Sequence, residues 1–322
     1  MLFVGSVFLM LFLASHAVAA QPLQSPDEAA GRGVGIATDA PREETEALYA
    51  SPTRRDRIGR IIAPVTINGQ GPFRFVVDTG ATHSALSMQL VQTLGLPVDV
   101  NEQIRVRGVT GSALVPTARI DRFEAGDLLI ENGSMPVLAS AWFGADGVLG
   151  MNGLEDKVIV VDFERDRIRI LKTSQRWRNL SRVPVKIGFD SLLLADGYVG
   201  RVRVKAIIDT GAQHTLGNHA LRQALQISDT RLPSYDVHGV TTGVQRAGVA
   251  TAPLIRLGNM YLSRVNIGFG DMHVFDIWEL ADQPALLVGM DVLGVLEMIV
   301  IDYRRSELLF KPRSSGIAVR NR

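Results

Sequence analysis

A chain of 322 residues with 46% hydrophobic and 21% charged residues is globular in composition and long enough for two ordinary domains. Its formal net charge of +1, with Lys and Arg scattered along the chain, provides no footprint for nucleic acid. The absence of cysteine excludes disulfides, thiolate zinc sites, cysteine nucleophiles and a lipidated cysteine anchor.

The chain opens with an apolar run from Leu2 to Ala14, followed by small residues that include Ala17-Val18-Ala19. This pattern predicts a cleaved secretory signal over residues 1–20 and an exported, periplasmic or secreted protein. An uncleaved membrane anchor is the alternative, although the run is short for a full span. Residues 21–57 are polar and proline-bearing and read as a linker or a propeptide. Within them, Pro41 to Ala50 has the pattern of one short helix.

From Ile58 onward the chain repeats itself. Phe75–Leu86 (FVVDTGATHSAL) recurs as Ala206–Gly217 (AIIDTGAQHTLG), and Arg107–Gly111 (RGVTG) recurs as His238–Gly243 (HGVTTG). Gly147–Leu154 recurs as Leu286–Leu293, and Val158–Leu171 recurs as Met298–Lys311, in the same order. Asp78 and Asp209 are 131 positions apart, as are Gly108 and Gly239, whereas Gly150 and Gly289 are 139 apart. The second copy therefore carries eight extra residues, near FGDMHVFDIWELADQ. Each copy begins with alternating or apolar runs that predict strands, the first pair joined by the turn-prone NGQGP. SMQLVQTLGL and NHALRQALQI have helical periodicity, each after a capping candidate, Ser87 or Asn218. The expected organisation is an all-β pair of pseudo-symmetric lobes with short helices, at 58–172 and 183–313. A charged linker at 173–182 joins them, and a tail follows at 314–322.

Each Asp-Thr-Gly ends an apolar strand, and a lone buried carboxylate there would be costly. Two lobes related by approximate two-fold symmetry would bring the turns together. Two carboxylates in one partly buried site cannot both ionise, and they hold one proton between them. Such a pair can deprotonate water and protonate a carbonyl oxygen in the same step. Asp78 and Asp209 are therefore the catalytic candidates. Thr79 and Thr210 carry hydroxyls that can tie the loops across the axis, and Gly80 and Gly211 let backbone approach the carboxylates.

In both copies the run of two hydrophobic residues, Asp-Thr-Gly and Ala resembles retropepsin-type aspartic proteases, in the tandem single-chain form found in bacteria. A later hydrophobic–hydrophobic–Gly, Val148-Leu149-Gly150 and Leu287-Val288-Gly289, strengthens the resemblance, which covers residues 58–312. It implies two acid-protease-type β-barrel lobes, with the second motif threaded behind each aspartate loop. It also implies flap hairpins at Ile104–Pro116 and Tyr235–Ala247, with Gly108, Val109, Gly239 and Val240 at the tips over the substrate. Ala81, Thr82, Ala212 and Gln213 would then line the substrate path, with solvent exposure the plainer role for Thr82 and Gln213. Ala81 and Ala212 stand where pepsin-like enzymes usually carry a hydroxyl, which points to a less acidic working pH.

His83 and His214 occupy matching places five positions after the aspartates. They are open to three readings: outer subsites, a metal pair, or structural histidines bonded to nearby backbone. Asp162 and Asp302 read as strand ends, and the tryptophans as packing. The expectation is an aspartic endopeptidase acting on extended peptide or protein substrates, with no cofactor or metal implied and no dimer required for catalysis. No stable membrane insertion is expected once the signal is cleaved. The alternative is a non-catalytic module on the same fold that binds a peptide or envelope protein.

Overall fold

The computed structural model describes residues 60–313 apart from 126–127, 140–143, 155, 166, 172–175, 189–191 and 229–231. It also describes the backbone of four short strands nearer the N-terminus, Ser6–Phe8, Leu13–Ala14, Ala47–Pro52 and Arg54–Arg55. The secretory signal expected over 1–20 otherwise lies outside the described residues, as does most of 21–57. Ala47–Pro52 runs as a strand along Arg167–Leu171, so the helix expected to end at Ala50 is corrected over its last residues. Pairing with an open sheet edge satisfies more of that backbone than a marginal helix would. Among the described residues no helix is long and apolar enough to cross a membrane.

The first lobe starts with β1 (Ile61–Ile67) and β2 (Gln70–Val77), an antiparallel hairpin. Its turn is Asn68-Gly69, with φ of 50° and 75°. These left-handed values suit Asn and Gly and match the twist of a two-residue hairpin. The Asn68 side chain accepts the N–H groups of Asp121 and Arg122, which ties the hairpin to the long strand behind it. After β3 (Ala85–Ser87) comes α1 (Met88–Leu94), capped by the Ser87 hydroxyl and ended by Gly95 at φ 61°. Next are β4 (Val98–Gly108), β5 (Gly111–Ala125), β6 (Leu128–Leu138) and β7 (Gly147–Leu149). β4 and β5 pair down to Gly108↔Gly111, forming a long hairpin with Val109-Thr110 at its tip.

β8 (Val158–Asp162) and β9 (Arg167–Leu171) leave the lobe. The second lobe repeats the plan with β10 (Ser181–Gly188), β11 (Leu192–Val199), β12 (Val202–Ile208), β13 (Leu216–Gly217) and α2 (His219–Ala224). The second flap follows as β14 (Ser234–His238) and β15 (Val244–Thr251), and then β16 (Ile255–Leu257), β17 (Met260–Leu262) and β18 (Asn266–Phe269). The stretch with the eight extra residues includes α3 (His273–Ile277), ahead of β19 (Ala285–Val288), α4 (Met290–Leu293), β20 (Leu296–Asp302) and β21 (Glu307–Pro312).

The two copies join through their last strands. β8 pairs antiparallel with β20, Ile159↔Ile301, Val160↔Val300 and Val161↔Ile299, in a sheet that runs β10-β21-β20-β8-β9. All five residues of β8 are buried, so this strand reads as a continuous apolar run rather than an alternation. One core runs from the lobes into this sheet and includes Phe75, Phe123, Ile159, Ile299 and Phe310; Phe75 and Phe123 meet edge to face at 5.5 Å. Asp162 and Asp302 end β8 and β20, and each Oδ1 accepts N–H groups of the turn that follows, from Glu164 and Arg165 and from Arg305 respectively.

Candidate active site

Each aspartate stands one residue beyond the end of a buried central strand. β7 lies parallel to β2, with Val148↔Val76 and Leu149↔Val77, and the Leu149 carbonyl then accepts the Asp78 N–H at 3.1 Å. In the second lobe β19 lies parallel to β12, and the Val288 carbonyl accepts the Asp209 N–H at 3.1 Å. Behind each loop the chain passes at very close range. A Cβ placed on Gly150 would sit 2.4 Å from the His83 carbonyl carbon, and one on Gly289 would sit 2.7 Å from that of His214. Only glycine fits such an approach without a shift of backbone. Further braces repeat in each copy. Asn152 accepts from the N–H and hydroxyl of Ser84, and Asp291 does the same for Thr215. No chemical motif marks these four residues in the sequence, although Ser84 and Thr215 stand six positions after their aspartates.

The loops meet across the pseudo-two-fold axis. The Thr79 hydroxyl donates to the Ile208 carbonyl at 2.9 Å and accepts the Thr210 N–H at 3.1 Å. The Thr210 hydroxyl donates to the Val77 carbonyl at 2.8 Å and accepts the Thr79 N–H at 3.1 Å. This exchange brings Asp78 and Asp209 face to face. A Cβ built on Gly80 would lie 2.9 Å from Asp209 Cγ, and one on Gly211 would lie 2.3 Å from Asp78 Cγ. Each glycine is therefore pressed against the carboxyl group of the other lobe.

Both carboxyl groups are fully buried. Asp78 Oδ1 accepts one N–H, from Gly80. Asp209 Oδ1 accepts two, from Gly211 and Ala212. Among the described residues no N–H or hydroxyl donates to either Oδ2, in keeping with alanine, not serine or threonine, at positions 81 and 212, and the two carboxyl groups hydrogen-bond to each other. Burial pushes both groups above the usual carboxylate range, and the charge of Asp209 pushes Asp78 up further. The buried Arg60 side chain acts on both in the opposite sense.

The flaps close over this pair. Thr110 and Thr241 meet hydroxyl to hydroxyl at 3.0 Å. Val109 of the first flap packs into the second lobe's cluster of Leu192, Ile207, Ala212 and Leu216. Val240 of the second flap packs on the first lobe's cluster of Ile62, Val76, Ala81 and Val148. Each tip thus covers the opposite lobe's wall. A Cβ on Gly239 would come within 2.6 Å of Thr110 Oγ1, so this glycine is what lets the tips touch. Gly108 closes the β4–β5 ladder at the base of the first tip.

The remaining candidates are less central. Thr82 is buried, with its hydroxyl 3.0 Å from His83 Nδ1, and the Gln213 carbonyl accepts the Asp291 N–H. His214 Nδ1 is 4.0 Å from Asp291 Oδ2, so the two histidines serve different neighbours despite their matching positions. His214, Tyr235 and Asp291 help line a cavity of about 690 Å³ in the second lobe, which neither dyad aspartate lines. Among the described residues no group of three or more His, Asp or Glu side chains is placed to hold a metal ion.

No curated protein matches the chain. A family model described as aspartyl protease matches residues 63–152 and 195–292, one segment around each Asp-Thr-Gly loop and together more than half of the chain. With an Asp-Thr-Gly loop from each matched segment meeting at one buried axis, the chain belongs to the aspartyl protease family.

Proposed function

We propose that the protein is an aspartic endopeptidase that hydrolyses peptide bonds with water activated between Asp78 and Asp209. The observation that carries this reading is the reciprocal packing of each loop glycine on the opposite carboxyl, at a buried axis, beneath two flaps. Two carboxyl groups so placed hold one proton between them at working pH.

A difference between the two groups supports one placement of the proton. Asp209 accepts two backbone N–H bonds where Asp78 accepts one. Each such bond favours the charged form. Asp209 is therefore the ionised member and Asp78 carries the proton. Asp209 draws a proton from the attacking water. Asp78 gives its proton to the carbonyl oxygen of the scissile bond as the tetrahedral centre forms. The Oδ2 atoms, which take no N–H or hydroxyl hydrogen bond among the described residues, are left for water and substrate once the flaps open above the buried pair.

The substrate is an extended peptide segment with apolar side chains beside the cut. The support is the apolar character of the two walls, Ile62, Val76 and Val148 on one side and Leu192, Ile207 and Leu216 on the other. Extended backbone suits a cleft walled and roofed by strands. Export of the protein is part of the same proposal and rests on the leader alone.

Cleavage of a diverse peptide library between pH 3 and 8, by wild type, Asp78→Asn and Asp209→Asn, tests the reading. Wild-type cleavage lost in both variants, with the fold retained, supports it. Cleavage that survives either substitution overturns it. A wild type that binds peptides but never cuts them favours a binding module on the same fold.

A further inference from the structure

We propose that Arg60 is the counter-cation of the Asp78–Asp209 pair, a positioning residue that holds the pair in its singly ionised state. The inference rests on the reading of that pair as the catalytic dyad.

The strand register places it. Ile62 pairs with Val76 in the antiparallel β1–β2 ladder. The ladder ends there, and its register carried two residues on sets Arg60 level with Asp78. Side chains two apart on a strand share a face, so Arg60 and Ile62 lie on the side of Val76 and Asp78. That face is a buried apolar wall, where Ile62 and Val76 pack with Ala81, Ala85 and Val148. Arg60 is 0% exposed and is among the largest wholly buried side chains of the protein.

A charge held in such a wall is tolerated only where opposite charge offsets it. The dyad carries one negative charge when it shares one proton, and one buried arginine matches it. The second lobe shows why one is enough. There Leu194 pairs with Ile207, and the same register carried two residues on sets Leu192 level with Asp209. Leu192 is buried and apolar. A second arginine at that place would have left the site with an excess positive charge. In accord with the geometry, both carboxyl groups are drawn downward by Arg60 against the effect of burial.

Among the described residues, those that the packing places beside the pair are uncharged: Val76 and Ile62, Ile207 and Leu192, Ala81 and Ala212 in the loops, and Val109, Thr110, Gly239 and Val240 at the tips. Titratable groups are carried on the elements next to these. His83 meets Thr82, Asp291 takes Thr215 with His214 beside it, Arg107 is the last residue but one of the flap strand β4, and His238 ends β14.

A cation beside the pair favours its charged form. It lowers the pH at which the pair takes its second proton and also the pH at which it loses its last. Without the cation both limbs of the rate profile move up. Structural damage alone would lower the rate and leave the limbs in place.

The test compares kcat/KM from pH 3 to 9 for the full-length wild type, Arg60→Lys and Arg60→Leu on a peptide the wild type cleaves. Arg60→Leu is expected to shift both limbs upward by on the order of one pH unit, with roughly tenfold less activity on the acid limb. Arg60→Lys is expected to restore most of the shift. Limbs that stay in place in Arg60→Leu, whatever the rate, overturn the inference. Should Arg60→Leu fail to fold, carbon-13 NMR titration of the aspartate carboxyl groups in Arg60→Gln answers the same question. Values raised over wild type support the role, and unchanged values overturn it. Failure of the dyad reading is recognised separately, by cleavage that persists in Asp78→Asn or Asp209→Asn.

Discussion

Thr79 and Thr210 each give a hydroxyl proton to a carbonyl of the opposite lobe and take the other's backbone N–H at 3.1 Å. Four buried polar groups of the backbone depend on these two side chains. Replacing either threonine with valine keeps the shape and leaves one buried N–H and one buried carbonyl unpaired, at about 1–3 kcal/mol for each group. Thr79→Val and Thr210→Val should each lower the unfolding midpoint and cut kcat far more than they raise KM, while serine at either place should retain most of both. The two effects should not add, because one network serves both residues. Denaturant unfolding and steady-state kinetics on the two valine variants and their combination check this.

The buried pair also makes stability depend on pH. Asp78 lies well above its ordinary 3.8, and Asp209 is pushed up to about 7, both chiefly by burial. Above pH 4 the unfolded chain has released protons that the folded protein still holds. Folding is then favoured by acid, and stability falls as pH rises from about 4 through the raised folded values. Asp78→Asn imitates the protonated acid at every pH. It should match wild type near pH 4 and exceed it at pH 7.5 by roughly 1–3 kcal/mol, while abolishing cleavage. Urea unfolding at the two pH values decides the matter, and a variant less stable than wild type at pH 7.5 would refute the account.

Much of this architecture is legible in the sequence because it is written twice. The register of the Asp-Thr-Gly loops, the helix caps at Ser87 and Asn218 and the glycines behind each loop come from local patterns that recur in order. Arg60 shows what such patterns leave out. Counting back from the Asn68-Gly69 turn, where Ile67 pairs with Gln70, would set residue 59 opposite Asp78. A bulge between Val65 and Ile67 shifts the register by one and brings Arg60 there instead. A one-residue slip turns a strand's side chains to the other face, so the buried cation is visible only in the folded hairpin. The sharing of β8 and β20 in one sheet is likewise a long-range pairing. Each strand's apolar run marks it as buried without naming its partner.

Flap closure depends on backbone contact that a side chain would prevent. A Cβ on Gly243 would sit 2.4 Å from the Thr110 carbonyl oxygen, which is backbone and cannot rotate aside. Gly243→Ala should therefore hold the tips apart and break the Thr110–Thr241 contact while leaving the lobes folded. The expected result is kcat/KM lowered about tenfold or more, with a circular dichroism spectrum and unfolding midpoint close to wild type. Unaltered kinetics would mean that the tips need not meet during turnover.

The first flap has a second tether that the sequence repeat does not supply. His273 opens α3, in the stretch where the second copy is longer, and its Nε2 lies 3.1 Å from Ser112 Oγ at the start of β5. The second lobe thus reaches across to hold the first lobe's flap. Losing one exposed hydrogen bond of this kind costs about 0.5–1.5 kcal/mol, which corresponds to roughly a two- to tenfold change in the opening equilibrium. Ser112→Ala should speed amide exchange over residues 104–116 by that factor. Residues 235–247 should change less, since they feel the loss only through the Thr110–Thr241 contact. Exchange measured by mass spectrometry separates the two hairpins. An equal rise in both would show that the flaps open as one unit and that the α3 contact does not act on the first flap in particular.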